Sequence, residues 1–375
     1  MTLERAWRLL PSEQVLWHGA AVRDVARALP WRVGPLLLAA LATIAGLFSA
    51  LLHAATLPGE RQMAFVAFYL TAFATALWLA PHFLHDQCEY VLTERRVLWR
   101  RGRFQRWIDR QGVSYARVIW NASTPGVGHL ELVRATPFGP LMRKQRLVLF
   151  NLQAPDRVLA LVRGVTPMPQ LGDPDLPLTD RLDDGETVLW GGSPQGLLLG
   201  WRDALTGGLG ALVLALGLRY GARGLAVMVF LEKDGLRVGS ITWLLLFLAT
   251  ALSWSVISGV GGWLIWRGFI SARVLSRETE YVLTSERVLI RRGRIELSLD
   301  RRSIVDVAVV PVGLGCRNLF LILDAPGSRA LSDSGALLPL GPARDLVPPV
   351  LYELRDAERV CALLLSTTEA LPQAA

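Results

Sequence analysis

Two arginine triads have the chemistry to hold an anion. Arg100, Arg101 and Arg103 flank Gly102, and Arg291, Arg292 and Arg294 flank Gly293. A guanidinium stays charged and forks onto phosphate oxygens. A basic hairpin tip near a bilayer could therefore hold anionic lipid headgroups, each cation adding about 1 kcal/mol. The plainer reading is a solvated strand edge kept soluble by charge. A second group, His82, His85 and Cys88, is spaced so that all three share one side of a helix. No further His/Cys pair lies nearby, so interfacial histidines beside a buried thiol are expected, with no metal and no cofactor. Thr93 and Thr284 precede polar turns and are expected to cap them. Glu89 and Glu280 each have an arginine neighbour to pair with. No base and oxyanion site accompany any of these groups, so no catalytic residue is assigned. Arg219 and Arg223 interrupt an apolar run beside Gly217, Gly221 and Gly224, and an interfacial position is expected for both.

Most of these residues belong to a repeat. EYVLTERRVLWRRGRFQRWIDRQGVSYARV at 89–118 aligns without a gap to EYVLTSERVLIRRGRIELSLDRRSIVDVAV at 280–309, with about half the columns identical. VLWHG at 15–19 answers VLWGG at 188–192, each shortly after a glutamate, and FNLQAPDRVLALV at 150–162 answers YELRDAERVCALL at 352–364. The blocks keep their order, so the whole unit reads as duplicated. The His/Cys group has Arg273, Ser276 and Thr279 at its counterpart positions and is not part of the repeat.

The elements that must position these residues fall into two kinds. The chain has 375 residues, 52% hydrophobic and only 19% charged, against about a quarter charged in ordinary soluble domains. Apolar runs at 33–57, 63–84, 204–231 and 238–266 are long enough to cross about 30 Å of hydrocarbon at about 1.5 Å per residue, which predicts four membrane helices in two hairpins. The third, broken by Arg219 and Arg223, is the weakest. Arginines crowd the segments before 33 and after 84 and 266. The positive-inside bias then puts both termini in the cytoplasm. The regions 1–32 and 185–203 are expected as juxtamembrane segments, Pro/Asp-rich 167–184 as a linker, and 369–375 as a tail. In 86–166 and 270–368 apolar and polar residues alternate around Gly102 and Gly293, which predicts β meanders. Strands at 129–133, 146–150 and 318–323 and closing helices at 154–162 and 356–365 follow. The insertion at 325–349 leaves strand register open there. The net charge of +8 rests almost wholly on arginine. Three scattered cysteines make no disulfide framework.

A transmembrane hairpin followed by Tyr-Val-Leu-Thr, Arg-Val and a basic strand ending in Gly resembles the bacterial membrane-anchored pleckstrin-homology-like proteins. Tyr90, Thr93, Arg96 and Gly102 carry the likeness in the first copy, and Tyr281, Thr284, Arg287 and Gly293 in the second. The resemblance implies two seven-stranded bent barrels, each capped by a C-terminal helix, and a binding module without catalytic residues. Phosphoinositides are generally lacking in bacterial membranes, so that ligand is not carried over. The expected function is a non-enzymatic inner-membrane platform for anionic phospholipid, a protein partner or a second copy of itself, with no nucleic acid. The alternative is a small transporter or channel component with the barrels regulatory. Uncharged spans without mid-membrane polar residues count against it.

Overall fold

The computed structural model describes residues 7, 9–22, 29–54, 56, 58–85, 88–136, 143–195, 201–233, 240–313, 315–323, 347 and 349–366. The chain folds as two bodies. Residues 27–83 and 199–272 form a helical one, and 1–26, 84–198 and 273–375 a sheet body.

In the sheet body each half of the sequence makes, among the described residues, seven strands and a closing helix. β1 (Val15–Ala20), β2 (Cys88–Thr93), β3 (Arg96–Arg101) and β4 (Phe104–Asp109) form one antiparallel sheet in that order. β5 (Tyr115–Trp120), β6 (Val127–Thr136) and β7 (Arg143–Gln153) follow, then α3 (Pro155–Arg163). The second module repeats this with β8 (Val188–Gly192), β9 (Thr279–Thr284), β10 (Arg287–Arg292) and β11 (Ile295–Asp300). β12 (Ile304–Gly313), β13 (Cys316–Leu323), β14 (Val350–Leu354) and α7 (Ala357–Leu365) complete it. The two regions read as juxtamembrane segments thus each contribute an edge strand, β1 and β8. Expected strands at 129–133, 146–150 and 318–323 lie inside β6, β7 and β13, and most of the 325–349 insertion lies outside the described residues.

Alternation explains the cores. Tyr90, Leu92, Val97 and Ile108 point inward in the first module with Val158 and Val162 of α3; Tyr281, Leu283, Val288 and Ile290 do so in the second with Val360 and Leu364 of α7. Each fully buried aliphatic side chain contributes roughly 1.5–3 kcal/mol. The two-residue β3–β4 and β10–β11 turns require a positive φ at their first position. Gly102 and Gly293 supply it, at φ 56° and 55°.

The modules do not stand apart. β5 of the first pairs antiparallel with β11 of the second, from Tyr115 opposite Leu299 to Ile119 opposite Ile295. One seven-stranded sheet results, in the order β7-β6-β5-β11-β10-β9-β8, and Tyr115 and Val133 enter the second module's core.

The helical body contains α1 (Leu29–Ala54), α2 (Glu60–His85), α4 (Trp201–Lys233) and α5 (Ser240–Ile265); a π-helical turn (Trp266–Ile270) leads into α6 (Ser271–Arg277). Among the described residues three helices, not the expected four, are long and apolar enough to cross a membrane, over Gly34–His53, Glu60–Leu79 and Asp203–Gly224. α5 is a helix without an ionisable residue, but many of its N-terminal side chains lie outside the described residues. Its pairing with α4 is backbone-close. A Cβ on Gly210 would sit 2.7 Å from the Ile265 nitrogen, and one on Gly261 2.9 Å from the Leu214 nitrogen. Small residues at such positions let apolar helices associate by contact alone. Arg219 and Arg223 are exposed in the last two turns of the Asp203–Gly224 span.

Candidate functional site

The recurring framework residues turn out to lock each module. In the first, Glu13 lies one residue ahead of the Gln14–Val15 entry to β1 and reaches across to the β2–β3 turn. Its carboxylate accepts from Thr93 Oγ1 at 2.7 Å, Arg96 Nε at 2.9 Å and Arg96 Nη2 at 2.8 Å. Thr93 Oγ1 also accepts the Arg96 amide at 3.0 Å, the turn cap expected from sequence. The second module repeats the arrangement. Glu186 accepts from Thr284, from Arg287 Nε at 2.9 Å and from Arg287 Nη2 at 2.6 Å. Burial pushes both carboxyls up, but the hydrogen bonds and charge of their arginine and threonine partners outweigh it. Glu13 is held down at about 2, and Glu186 below its ordinary value.

Two further pairs act alike. Tyr90 bonds across the module to Phe150, accepting its amide at 2.8 Å, and Tyr281 accepts the Tyr352 amide at 3.1 Å. Asn151 and Glu353, the next residue in each case, both have a positive φ, 51° and 55°. Arg110 Nε donates to Val162 O at 2.6 Å, and Arg301 Nη2 to Leu363 O at 2.5 Å. Each thus satisfies a carbonyl in the last turn of its module's helix, where backbone acceptors lack partners. Sequence reading grouped Arg110 with the general basic bias and missed Glu13 and Glu186 as partners. The signal was present in the glutamate ahead of each Val-Leu-Trp block.

The arginine triads share a sequence and differ in surroundings. In the second module Arg291 donates to Glu296 at 3.0 Å and to the Leu176 carbonyl. Arg292 is 2% exposed, with its Nε 3.3 Å from Thr279 Oγ1 and its guanidinium 5.5 Å from the Tyr352 ring. Arg294 Nη1 donates to Asn121 O of the first module at 2.7 Å. All three make contacts within the protein, although Nη1 and Nη2 of Arg292 are buried without a hydrogen-bond partner. In the first module Arg100 pairs with Glu89 and stacks 4.5 Å over Trp7. Arg101 is half-buried and Arg103 exposed. The Glu89 pairing follows the sequence expectation. Arg291, the strand partner of Glu280, turns instead to Glu296. His82 and His85 side chains lie outside the described residues, while Cys88 is buried and forms no disulfide. No group of His, Cys, Asp and Glu among the described residues is placed to hold a metal.

A buried charge network runs along the seam, and the segment expected as a linker supplies its centre. Arg181, in a short 3-10 turn at Leu178–Arg181, is buried. It donates to Asp156 of α3 at 2.9 Å, lies 3.4 Å from Glu296 of β11, and stacks 5.4 Å from the Trp120 ring. Trp120 Nε1 in turn donates to Glu296 at 3.1 Å. Leu178, 2% exposed, packs on Val282 and Leu289. Burial pushes the Glu296 carboxyl up, and Arg181 and Arg291 offset this only in part. The connecting segment is therefore a strap folded into the sheet body.

The chain matches no protein-family model, no curated protein and no solved structure. Its own geometry offers two fused sheet modules, internally locked charges, and an exposed Arg103 at the first module's β3–β4 turn.

Proposed function

We propose that this chain is a non-enzymatic integral membrane protein whose two modules, similar to pleckstrin-homology barrels, form one binding platform at the inner face of a bacterial membrane. The apolar helices anchor it, and the arginine-rich segments keep both termini and both modules in the cytoplasm. The observation that carries this reading is the β5–β11 seam with Arg181 at its centre. It makes the modules one composite surface, held by the same chain as helices apolar enough to span a bilayer. Anionic phospholipid or a protein partner is what such a surface would hold. With the modules fixed against each other, two contacts would be presented at a set spacing, and avidity would depend on that spacing.

Alkaline carbonate extraction of membranes bearing the full chain, together with proteolysis of inside-out and right-side-out vesicles, tests the reading. We expect retention in the pellet, with both modules cleaved only in inside-out vesicles. Release into the supernatant, or modules cut on opposite sides, overturns it.

A further inference from the structure

The β3–β4 tip of the first module differs from its counterpart most at Phe104 and Arg106, exposed where Ile295 is half-buried and Leu297 buried. Phe104, the first residue after the turn, is 77% exposed, and Arg103 and Arg106 beside it are exposed as well. The aligned Ile295 is packed against the second core and paired with Ile119, Leu297 is 1% exposed, and Arg294 is spent on the Asn121 carbonyl. A large aromatic held bare at a hairpin tip costs solvation unless something apolar receives it. Arginines around it select an acceptor that is apolar beneath and anionic at its surface.

Chain connectivity points the same way. Antiparallel meanders alternate ends, so the Gly102 tip lies at the end of the sheet where β1 finishes and β2 begins. Arg101 pairs directly with Cys88. Cys88 follows His85, the last residue of α2, by three residues, a reach of about 10 Å at most. The tip therefore shares one end of its sheet with the start of β2, the strand that follows the apolar helix α2 in the chain.

We infer that the first module's β3–β4 tip is a membrane-contact wedge: Phe104 enters the interfacial layer while Arg103 and Arg106 engage anionic headgroup phosphates. The second module's tip has no such role. This rests on the proposed membrane reading and narrows its ligand to the anionic bilayer surface.

Hydrogen exchange of the full chain in nanodiscs tests it. Discs of phosphatidylcholine alone are compared with discs that also contain phosphatidylglycerol. Amides of Arg103–Trp107 should exchange about fivefold more slowly, or slower still, in the anionic discs, as expected for at least one engaged arginine. High salt and the R103A/R106A double variant should abolish the difference, and Phe104→Ser should reduce it. Amides of Arg294–Ser298 should not respond to composition. Equal exchange at the first tip in both discs overturns the inference. So does slowing that follows protein density instead of phosphatidylglycerol, which would assign the β4 edge to a second copy. A chain that stays in the carbonate pellet yet shows no composition effect loses only this inference, whereas loss from the pellet removes the reading beneath it.

Discussion

The two hairpins Arg100–Phe104 and Arg291–Ile295 begin from the same Arg-Arg-Gly-Arg and reach opposite ends. Their backbones agree to the positive φ of the central glycine. Their side chains do not, because among the described residues only the second hairpin has a strand hydrogen-bonded along its outer edge. β5 of the first module covers β11, whereas β4 is the outermost strand of its sheet among the described residues. Once covered, the second triad is drawn into carbonyls, a carboxylate and an aromatic ring. A repeated motif thus fixes local geometry, and tertiary context decides whether its charges are available to a ligand.

The largest effect is expected from breaking the cover itself. Arg181→Met leaves Asp156 and Glu296 buried without their shared cation. Removing one partner of a buried ion pair typically costs about 3–5 kcal/mol. Thermal unfolding of the purified chain should shift down accordingly. Protease should cut the 166–184 strap, and exchange at Arg291–Ile295 should rise toward that of the first hairpin. An unchanged melting temperature would mean that strand pairing alone holds the seam.

Next come the locks the modules share. Glu13→Gln leaves the half-buried Arg96, and Glu186→Gln the buried Arg287, less well paired, with an expected cost of about 2–4 kcal/mol and the larger loss at the more enclosed Arg287. Acid titration separates them from the seam. Glu13 and Glu186 titrate lower folded than unfolded, where a carboxyl titrates near about 4.3. Their contribution is present above that value and is lost as pH falls below it, down toward about 2 for Glu13. Glu296 has the opposite sign: its folded value is raised, so its contribution favours low pH and is lost as pH rises. Glu13→Gln should therefore flatten the acid limb of stability measured by denaturant titration, and Glu296→Gln should steepen it.

These locks also mark how far the sequence could be read. The strand pattern, the closing helices and the turn glycines are local, and residue alternation showed them. β1 and β8 are short, half-exposed strands whose partners lie beyond an entire helical hairpin, so nothing local marked them as sheet. Glu13 pairs with a residue 83 positions away. The glutamates stood ahead of each Val-Leu-Trp block, but their partners were legible only once β1 was laid against β2. Composition marked 167–184 as linker, since proline and aspartate favour loops. It could not show that Leu178 and Arg181 fold inward against a seam between residues 176 to 184 positions apart. The arginine triads were found by type and spacing. That Phe104 stays exposed while Ile295 is covered depended on strand order, which no periodicity encodes.

A smaller effect belongs to the tyrosines that tie the strands of each module. Tyr90→Phe and Tyr281→Phe each remove an acceptor from a buried amide, for about 1 kcal/mol. Similar losses in both modules, measured by chemical denaturation, would show that the framework is equivalent wherever the environments are.

The finest test exchanges nothing but one arginine at each tip. Arg294→Ala removes a 2.7 Å bond from Arg294 to the Asn121 carbonyl across the seam, and should destabilise by about 1 kcal/mol. Arg103→Ala, at an exposed position, should change stability by no more than about 0.5 kcal/mol. In detergent without anionic lipid the two variants should therefore separate by a small but resolvable shift in denaturation midpoint. Equal losses would mean that the first tip is also supported from within the protein, and the contrast between the hairpins would then have to be sought in Phe104 against Ile295 alone.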